Sequence, residues 1–411
     1  MQSKNSDYNA GEKAIQPPSM PRFGWAFFKI GLTAYGMAIL QQLKALIINS
    51  KWLSRKEVDE GLAMVQIYPG PIIFNLTTYC AYRIKGIGGA LLATVMFVIP
   101  SYLLMVFLSW IYFSYGEVPW VHPLFIALEA MVVGVVAHIF VDFSNRYLTG
   151  AKTAMMAALA FILLLYKVHA FAVVLISIAL GILLFWNTRK TLAANTTTPS
   201  AAAAIPGNLR HRLLSIIAAG IVFIGAILLG LFWQHTNGEL LFSMFKIGAV
   251  AFGNGMTIMP LLQQEAVISH HWLTMKQFAD GIAFGQITPG PFLITATFIG
   301  YKVGGIWGSV IATFGMFYPS FFYTLIISEI YSRIKNNPLI QTALKGVLAA
   351  FTGMLLSVVF SLGKVSLISP AAYIWAAGAL IAVRYLKLNL LWIFASGIAA
   401  AMALFYLGIT I

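Results

Sequence analysis

The chain has 411 residues, of which 60% are hydrophobic and only 9% charged. That composition lacks the polar residues to cover a soluble domain, so it excludes soluble enzymes and binding modules and predicts an all-α polytopic membrane protein. Twenty-six Lys and Arg against twelve Asp and Glu give a formal net charge of +14. This excess predicts basic cytoplasmic loops and an anionic lipid or solute as partner, not nucleic acid.

In chain order, a polar cytoplasmic tail at 1–22 precedes a full-length apolar run, which is not the layout of a cleaved signal peptide. Apolar stretches then predict about thirteen spans, near 24–48, 61–83, 86–114, 122–143, 151–167, 169–187, 213–233, 239–264, 280–302, 304–330, 339–361, 367–384 and 388–409. The long polar linker at 187–212, rich in Ala and Thr and basic at both ends, divides the chain. A first transmembrane repeat at 23–187, a linker plus connecting helix at 188–238 and a second repeat at 239–411 follow from it. The single cysteine, Cys80, excludes an intrachain disulfide and a multi-thiolate metal site.

Two halves repeat. FFKIGLTAYG (27–36) aligns with MFKIGAVAFG (244–253), and GIGGALLATVMFVIPS (86–101) with GIWGSVIATFGMFYPS (305–320). WLSRKEVDEGLAMVQIYPGP (52–71) matches WLTMKQFADGIAFGQITPGP (272–291) at ten of twenty positions. Seven predicted spans separate equivalent helices, an odd number, so the halves are expected to be inverted repeats of six helices joined by an extra helix. Re-entrant Pro-Gly-Pro segments are the alternative; removing one span per half makes the count even and the repeats parallel. Placing the linker in the cytoplasm puts Arg83, Lys85, Arg146, Lys152, Arg333, Lys335, Arg384 and Lys387 there too. The N-terminus is then cytoplasmic and the C-terminus outside, while Lys51, Arg55 and Lys56 fall outside against the rule.

Pro69, Gly70 and Pro71, and equivalently Pro289, Gly290 and Pro291, interrupt two apolar segments. Proline lacks an amide hydrogen and glycine unwinds cheaply, so each triplet should end one half-helix and begin another. The new helix starts expose the amides of Ile72 and Ile73, and of Phe292 and Leu293. Inside a bilayer these donors need a partner, and with the helix dipole they suit an anion. Gln66, Asn75, Gln286, Thr288 and Thr295 add neutral hydrogen-bonding groups, which suits a tetrahedral oxyanion. A plain proline kink explains one such segment; the matched pair favours transport.

These features together resemble the chromate ion transporter family in its long two-domain form, over roughly residues 25–360: an aromatic-Gly turn, a Trp-Leu start, Gln-x-x-Pro-Gly-Pro, and a glycine-bounded helix ending in Pro-Ser. FGNGMTIMPLLQQEAVISHHWLTMKQFADGIAFGQITPGPF (252–292) looks like the family's second-half signature, with Gly253, Asn254 and Gly255 at its turn. The first half departs: Tyr35, Gly36, Met37 and Ala38 stand where the family has Phe-Gly-Gly-Pro. The resemblance implies chromate efflux across the inner membrane, driven by protons or membrane potential, and hence an antiporter conferring chromate resistance. Sulfate or another oxyanion as cargo, or a passive anion channel, stays open.

Among the charges, Lys29 and Lys246 share a repeat position and either snorkel to headgroups or attract the anion. Lys345 lies within a span, where an ionisable residue suggests function. Aligning IALEA (126–130) with TALKG (342–346) sets Glu129 opposite Lys345, as coupling acid and counter-charge or as a structural pair. Glu265 is the second candidate for coupling, with a solvated helix-end role as its alternative. Asp280 and Glu60, at equivalent positions, read as structural. No metal site or cofactor is expected, since His270 and His271 lack a third ligand. Gly-x-Ser-x-Gly, His-Glu-x-x-His and the Walker pattern are absent, which argues against an intramembrane enzyme and against ATP as the driver. A homodimer is compatible with the sequence, but no helix face singles itself out.

Overall fold

The structure, a computed structural model, describes residues 18–33, 38–115, 122–186, 209–232, 236–252, 256–334 and 337–407. Among them are fifteen α-helices and no strand. The first half holds α1 (Met20–Thr33), α2 (Ala38–Asn49), α3 (Arg55–Met64), α4 (Ile72–Tyr115), α5 (His122–Tyr147), α6 (Ala151–Leu165) and α7 (Ala170–Leu184). After α8 (Leu209–Phe232), the second half holds α9 (Thr236–Val250), α10 (Met259–Gln263), α11 (Met275–Ile287), α12 (Thr295–Ile334), α13 (Pro338–Ser366), α14 (Pro370–Arg384) and α15 (Leu390–Tyr406). A π turn, Gln264–Ser269, extends α10, and a short 3-10 turn, Phe292–Ile294, leads into α12. By length and composition, α4, α5, α8, α12 and α13 are apolar enough to cross a bilayer alone.

Four of the stretches read from the sequence as spans fold back on themselves. In the first, α1 and α2 run antiparallel: the Thr33 hydroxyl reaches Gln42 at 3.4 Å, and Trp52 packs on Phe23 at 5.2 Å. In the second, Arg83 pairs with Glu57 at 2.9 Å, and a side chain at Gly61 would strike the Tyr79 ring. Both contacts place Pro69–Pro71 at the tip of a hairpin between α3 and the start of α4. The second half repeats the pattern. Ser243 and Lys246 on α9 reach Glu265, closing the third hairpin. Gly281 faces Phe298 and Gly285 faces Thr295, closing the fourth around Pro289–Pro291. Arms of 10 to 14 residues span only about 15 to 21 Å as helix, too short to cross the hydrocarbon core. The predicted count of thirteen spans therefore does not describe the chain.

Each second hairpin arm then kinks into a long helix. α4 bends at Lys85 and Gly86, α12 at Gly304 and Gly305, and Gly86 and Gly305 take φ of 65° and 59°, where glycine carries no Cβ penalty. Beyond the kinks the helices run over 87–115 and 306–334, and in each a Pro-Ser pair, Pro100-Ser101 and Pro319-Ser320, occupies the middle.

The halves are inverted. From Ser101, beside Gly290, α4 rises to Tyr112 and Phe113, which pack on Phe298 and Tyr301 near the base of the fourth hairpin. From Ser320, beside Gly70, α12 runs to Glu329, which accepts from Tyr82 near the base of the second hairpin. The two hairpin pairs therefore enter from opposite faces. Folding back two stretches per half, not one, keeps the number of crossings between equivalent helices odd, so the inversion holds. Lys51, Arg55 and Lys56 consequently join Arg83 and Lys85 on one basic face, correcting their expected position on the other. The halves also interlock: Gly134 of α5 touches the Ala376 carbonyl of α14, while Gly353 of α13 touches that of Ala157 in α6.

Candidate functional site

The tips of the second and fourth hairpins, Pro69–Pro71 and Pro289–Pro291, lie against the middles of the two long helices. Ser101 stands 14 residues from either end of its helix segment, as does Ser320, about 21 Å from each end by helical rise. Gly290 takes φ of 100° and lies against the Ser101 hydroxyl; Gly70 takes φ of 136° and lies against the Ser320 hydroxyl. A Cβ fits neither place, in conformation or in space. Ser101 donates to the Pro289 carbonyl, and the Gly70 amide donates to the Ala251 carbonyl near the third tip. The Gly31 carbonyl, near the first tip, lies close to Gly290.

From these tips two half-helices depart in opposite directions with their N-termini toward each other. α4 begins at Ile72, and its first intrahelical donor at this end is the Asn75 amide, bonded to the Pro71 carbonyl at 2.9 Å. The amides of Ile72 and Ile73 therefore have no acceptor within the helix. In the other half the Ile294 amide takes the Pro291 carbonyl at 3.1 Å, which leaves those of Phe292 and Leu293 without a helical partner. Each helix start carries roughly +0.5 elementary charge, so the two together offer about one positive charge without any cationic side chain.

A cavity of about 650 Å³ runs from Pro71, Ile72 and Ile73, and from Gln286, Thr288, Gly290, Pro291 and Phe292, to His138, Asp142, Lys387 and Asn389. The end at His138, Asp142, Lys387 and Asn389 lies at the basic face, where α5 ends and α14 passes into α15. On the opposite side Tyr112, Phe113, Phe125, Phe284 and Phe298 pack ring against ring at 4.9 to 6.2 Å between centroids. One turn behind Pro71, both amide atoms of Asn75 and the Ser320 hydroxyl are buried without a hydrogen-bond partner. Buried polar groups are rarely left so, and these lie against Gly70.

The sequence-derived candidates divide accordingly. Pro71, Ile72, Gln286, Thr288, Gly290, Pro291 and Phe292 share the cavity, with Pro69, Gly70, Pro289, Asn75 and Thr295 in or beside the tips. The Thr288 and Thr295 hydroxyls donate to the carbonyls of Gly285 and Phe292, so their donor capacity is used locally. Gln66 is exposed and outside the cavity wall. Gly253, Asn254 and Gly255 lie outside the described residues. Lys29 is exposed, 5.7 Å from the Trp25 ring, and Lys345 is exposed, 4.5 Å from the Phe185 ring. Glu129 is buried near the far end of α13, where Ser366 reaches it at 3.4 Å. Ser366 and Lys345 are 21 positions apart on that helix, about 31 Å by helical rise, so Glu129 and Lys345 do not meet. Glu265 is buried and held by Lys246 at 3.1 Å and Ser243 at 2.5 Å, with His169 and His270 each at 3.6 Å. Sequence reasoning missed Ser101, Ser320, His138 and Asn389. The repeated Pro-Ser pair was a usable signal for the serines; nothing local marks the other two.

A family profile described as chromate transporter matches residues 22–182 and 238–403. An uncharacterized transporter of Methanocaldococcus jannaschii is 30% identical over 361 residues, 87% of each chain. Proteins named chromate transport protein from Cupriavidus metallidurans and Pseudomonas aeruginosa are each 28% identical, over 375 and 383 residues. The first alignment covers 88% of both chains, the second 89% of this chain and 86% of the relative. No solved structure matches.

Proposed function

Because the chain belongs to the chromate transporter family, both halves being matched, we propose that this membrane ion transporter moves a small tetrahedral oxyanion, chromate first among them, past the Pro-Gly-Pro tips of its second and fourth hairpins. The observation that carries the reading is the pair of opposed half-helix starts, Ile72–Ile73 and Phe292–Leu293, at one cavity. A dianion with acceptors on every face takes amide donors from two directions at once, and the dipoles offset half its charge without a locked ion pair. Asn75 and Ser320 supply further donors once the tips part. Gln286 and Thr288 line the approach, and His138, Asp142 and Lys387 stand at its mouth.

On the positive-inside rule the basic face is cytoplasmic, the N-terminus with it, and the cavity is loaded from inside the inner membrane. Loading from that side supports efflux as the direction. The aromatic packing on the other face supports an alternating carrier over an open channel, because an anion leaving outward must first separate those rings.

The test is flux of radiolabelled chromate and sulfate in proteoliposomes under an imposed proton gradient and, separately, an imposed voltage. Wild type is expected to accumulate chromate against its gradient, and Gly290→Leu to lose that flux by at least tenfold. Downhill leak of either ion without accumulation would indicate a channel. Flux of sulfate alone would change the cargo, and flux of neither would remove the reading.

A further inference from the structure

We infer that Asp280 is the protein's proton-binding site, the group whose protonation is exchanged against the anion. The inference rests on the transport reading above for its purpose, but not for its chemistry. Asp280 sits on α11, 2% exposed, on the side of the tips away from the cavity. Its Oδ2 accepts from the Tyr112 hydroxyl at 2.7 Å, and its Oδ1 has no partner. No Lys, Arg or His stands within 4.0 Å of it among the described residues. Burial in that setting disfavours the anion of the carboxyl group, and a proton on Oδ1 removes the charge while leaving the Tyr112 bond in place.

Several elements bring polar groups toward Asp280. From α4 comes Tyr112, from α5 Glu129, and from α11 itself Lys276, one turn nearer the surface and exposed. α13 contributes Ser366, which reaches Glu129, and α12 contributes Lys302, turned onto the Phe113 ring at 5.0 Å. Glu265, on the adjoining π turn, is paired with Lys246 at 3.1 Å. Asp280 thus has a second carboxyl group across from it in Glu129 and the exposed Lys276 one helical turn toward the surface.

Position links the proton to the anion path. Tyr112, which holds Asp280, is also the centre of the aromatic plug: its ring packs on Phe113, Phe125, Phe284 and Phe298. Phe284 follows Asp280 by one turn on the helix that ends at the fourth tip. Gain or loss of one proton at Asp280 therefore changes the group that anchors the plug, and the plug closes the side of the tips opposite the cavity. The pseudo-symmetric position, Glu60, is half-buried at the basic face, and Tyr331 stands there as Tyr112 does here. The buried member is on the far face only.

The test uses purified full-length protein and two readouts. The first is the infrared carboxylic C=O stretch, expected in wild type at neutral pH and missing in Asp280→Asn, which keeps size and an acceptor for Tyr112. The second is flux in proteoliposomes. Asp280→Asn is expected to keep chromate–chromate exchange within about twofold and to lose proton-gradient-driven accumulation by at least tenfold. Tyr112→Phe is expected to retain the infrared band while moving the pH midpoint of transport. A band absent from wild type, or unchanged in Asp280→Asn, overturns the proposal, as does undiminished gradient-driven accumulation by that variant. Loss of exchange together with accumulation in a variant that remains monodisperse assigns Asp280 a structural role and also overturns it. A band that behaves as expected with no flux of any oxyanion leaves the proton site standing and removes the transport reading instead.

Discussion

At the residue scale, Glu57 is a charged side chain that serves as a structural joint. The Ser54 hydroxyl accepts from the Glu57 amide and the Glu57 carboxylate accepts from the Ser54 amide, a reciprocal cap on α3. The same carboxylate holds Arg83 across the hairpin at 2.9 Å. Burial pushes its carboxyl up, but the Ser54 amide and hydroxyl and the Arg83 guanidinium outweigh it and hold the group below the ordinary carboxylate range. A group with a depressed folded pKa stabilises above its unfolded pKa, and that stability is lost as pH falls through the folded value. Glu57→Gln should therefore lower the midpoint of thermal unfolding at pH 7, by about 1 kcal/mol of stability in the range of lost caps, and by less at pH 3. Equal losses at the two pH values would contradict this role. Thr274 and Gln277 make the matching cap on α11 without a charge, so the pH dependence belongs to one half.

At the element scale, the decisive contacts are helices touching backbone to backbone. A Cβ at Gly31 would run into the Phe97 carbonyl, and one at Gly248 into that of Met316, the equivalent residue 219 positions on. Neither helix can carry a side chain there and stay at its present distance from α4 or α12. Gly248→Val should cost at least about 1 to 3 kcal/mol, the overpacking range, read as a fall in thermal midpoint in detergent. Gly225 on α8 has nothing within 4 Å, so Gly225→Ala should be neutral or stabilising by up to about 1 kcal/mol. These paired glycines were visible in the aligned FFKIGLTAYG and MFKIGAVAFG segments, although what they touch was not. The half-helices at Pro-Gly-Pro were legible as well, because proline and glycine act on their own backbone. The direction the chain takes after each triplet was not, since it depends on whether Gly61 meets Tyr79 and Gly281 meets Phe298.

At the scale of the whole molecule, hairpins and inversion make one joint prediction about sidedness. In a Cys80→Ala background, cysteines replacing Lys56 and Lys85 should react with an impermeant maleimide from the same side. Cysteines replacing Lys276 and Lys302 should react from the other. Straight broken spans would put Lys56 and Lys85 on opposite sides, and parallel halves would put all four on one. The same arrangement explains why the basic residues sort by face once the first two stretches are folded back.

What the sequence by itself determined is what depends on local chemistry: membrane residence from composition, the two halves from ten identities in twenty positions, helix breaks from Pro-Gly-Pro, and a family from the motifs between them. The tertiary structure alone decided which of those pieces meet. Ser101 bonds to Pro289 across 188 residues, Tyr112 to Asp280 across 168, and Tyr68 to Thr324 across 256. Such pairings have no local period or spacing to announce them, because they arise from two inverted halves packing through each other. An inverted repeat fixes the identity of equivalent residues in the sequence, but places them face to face only when the halves are assembled.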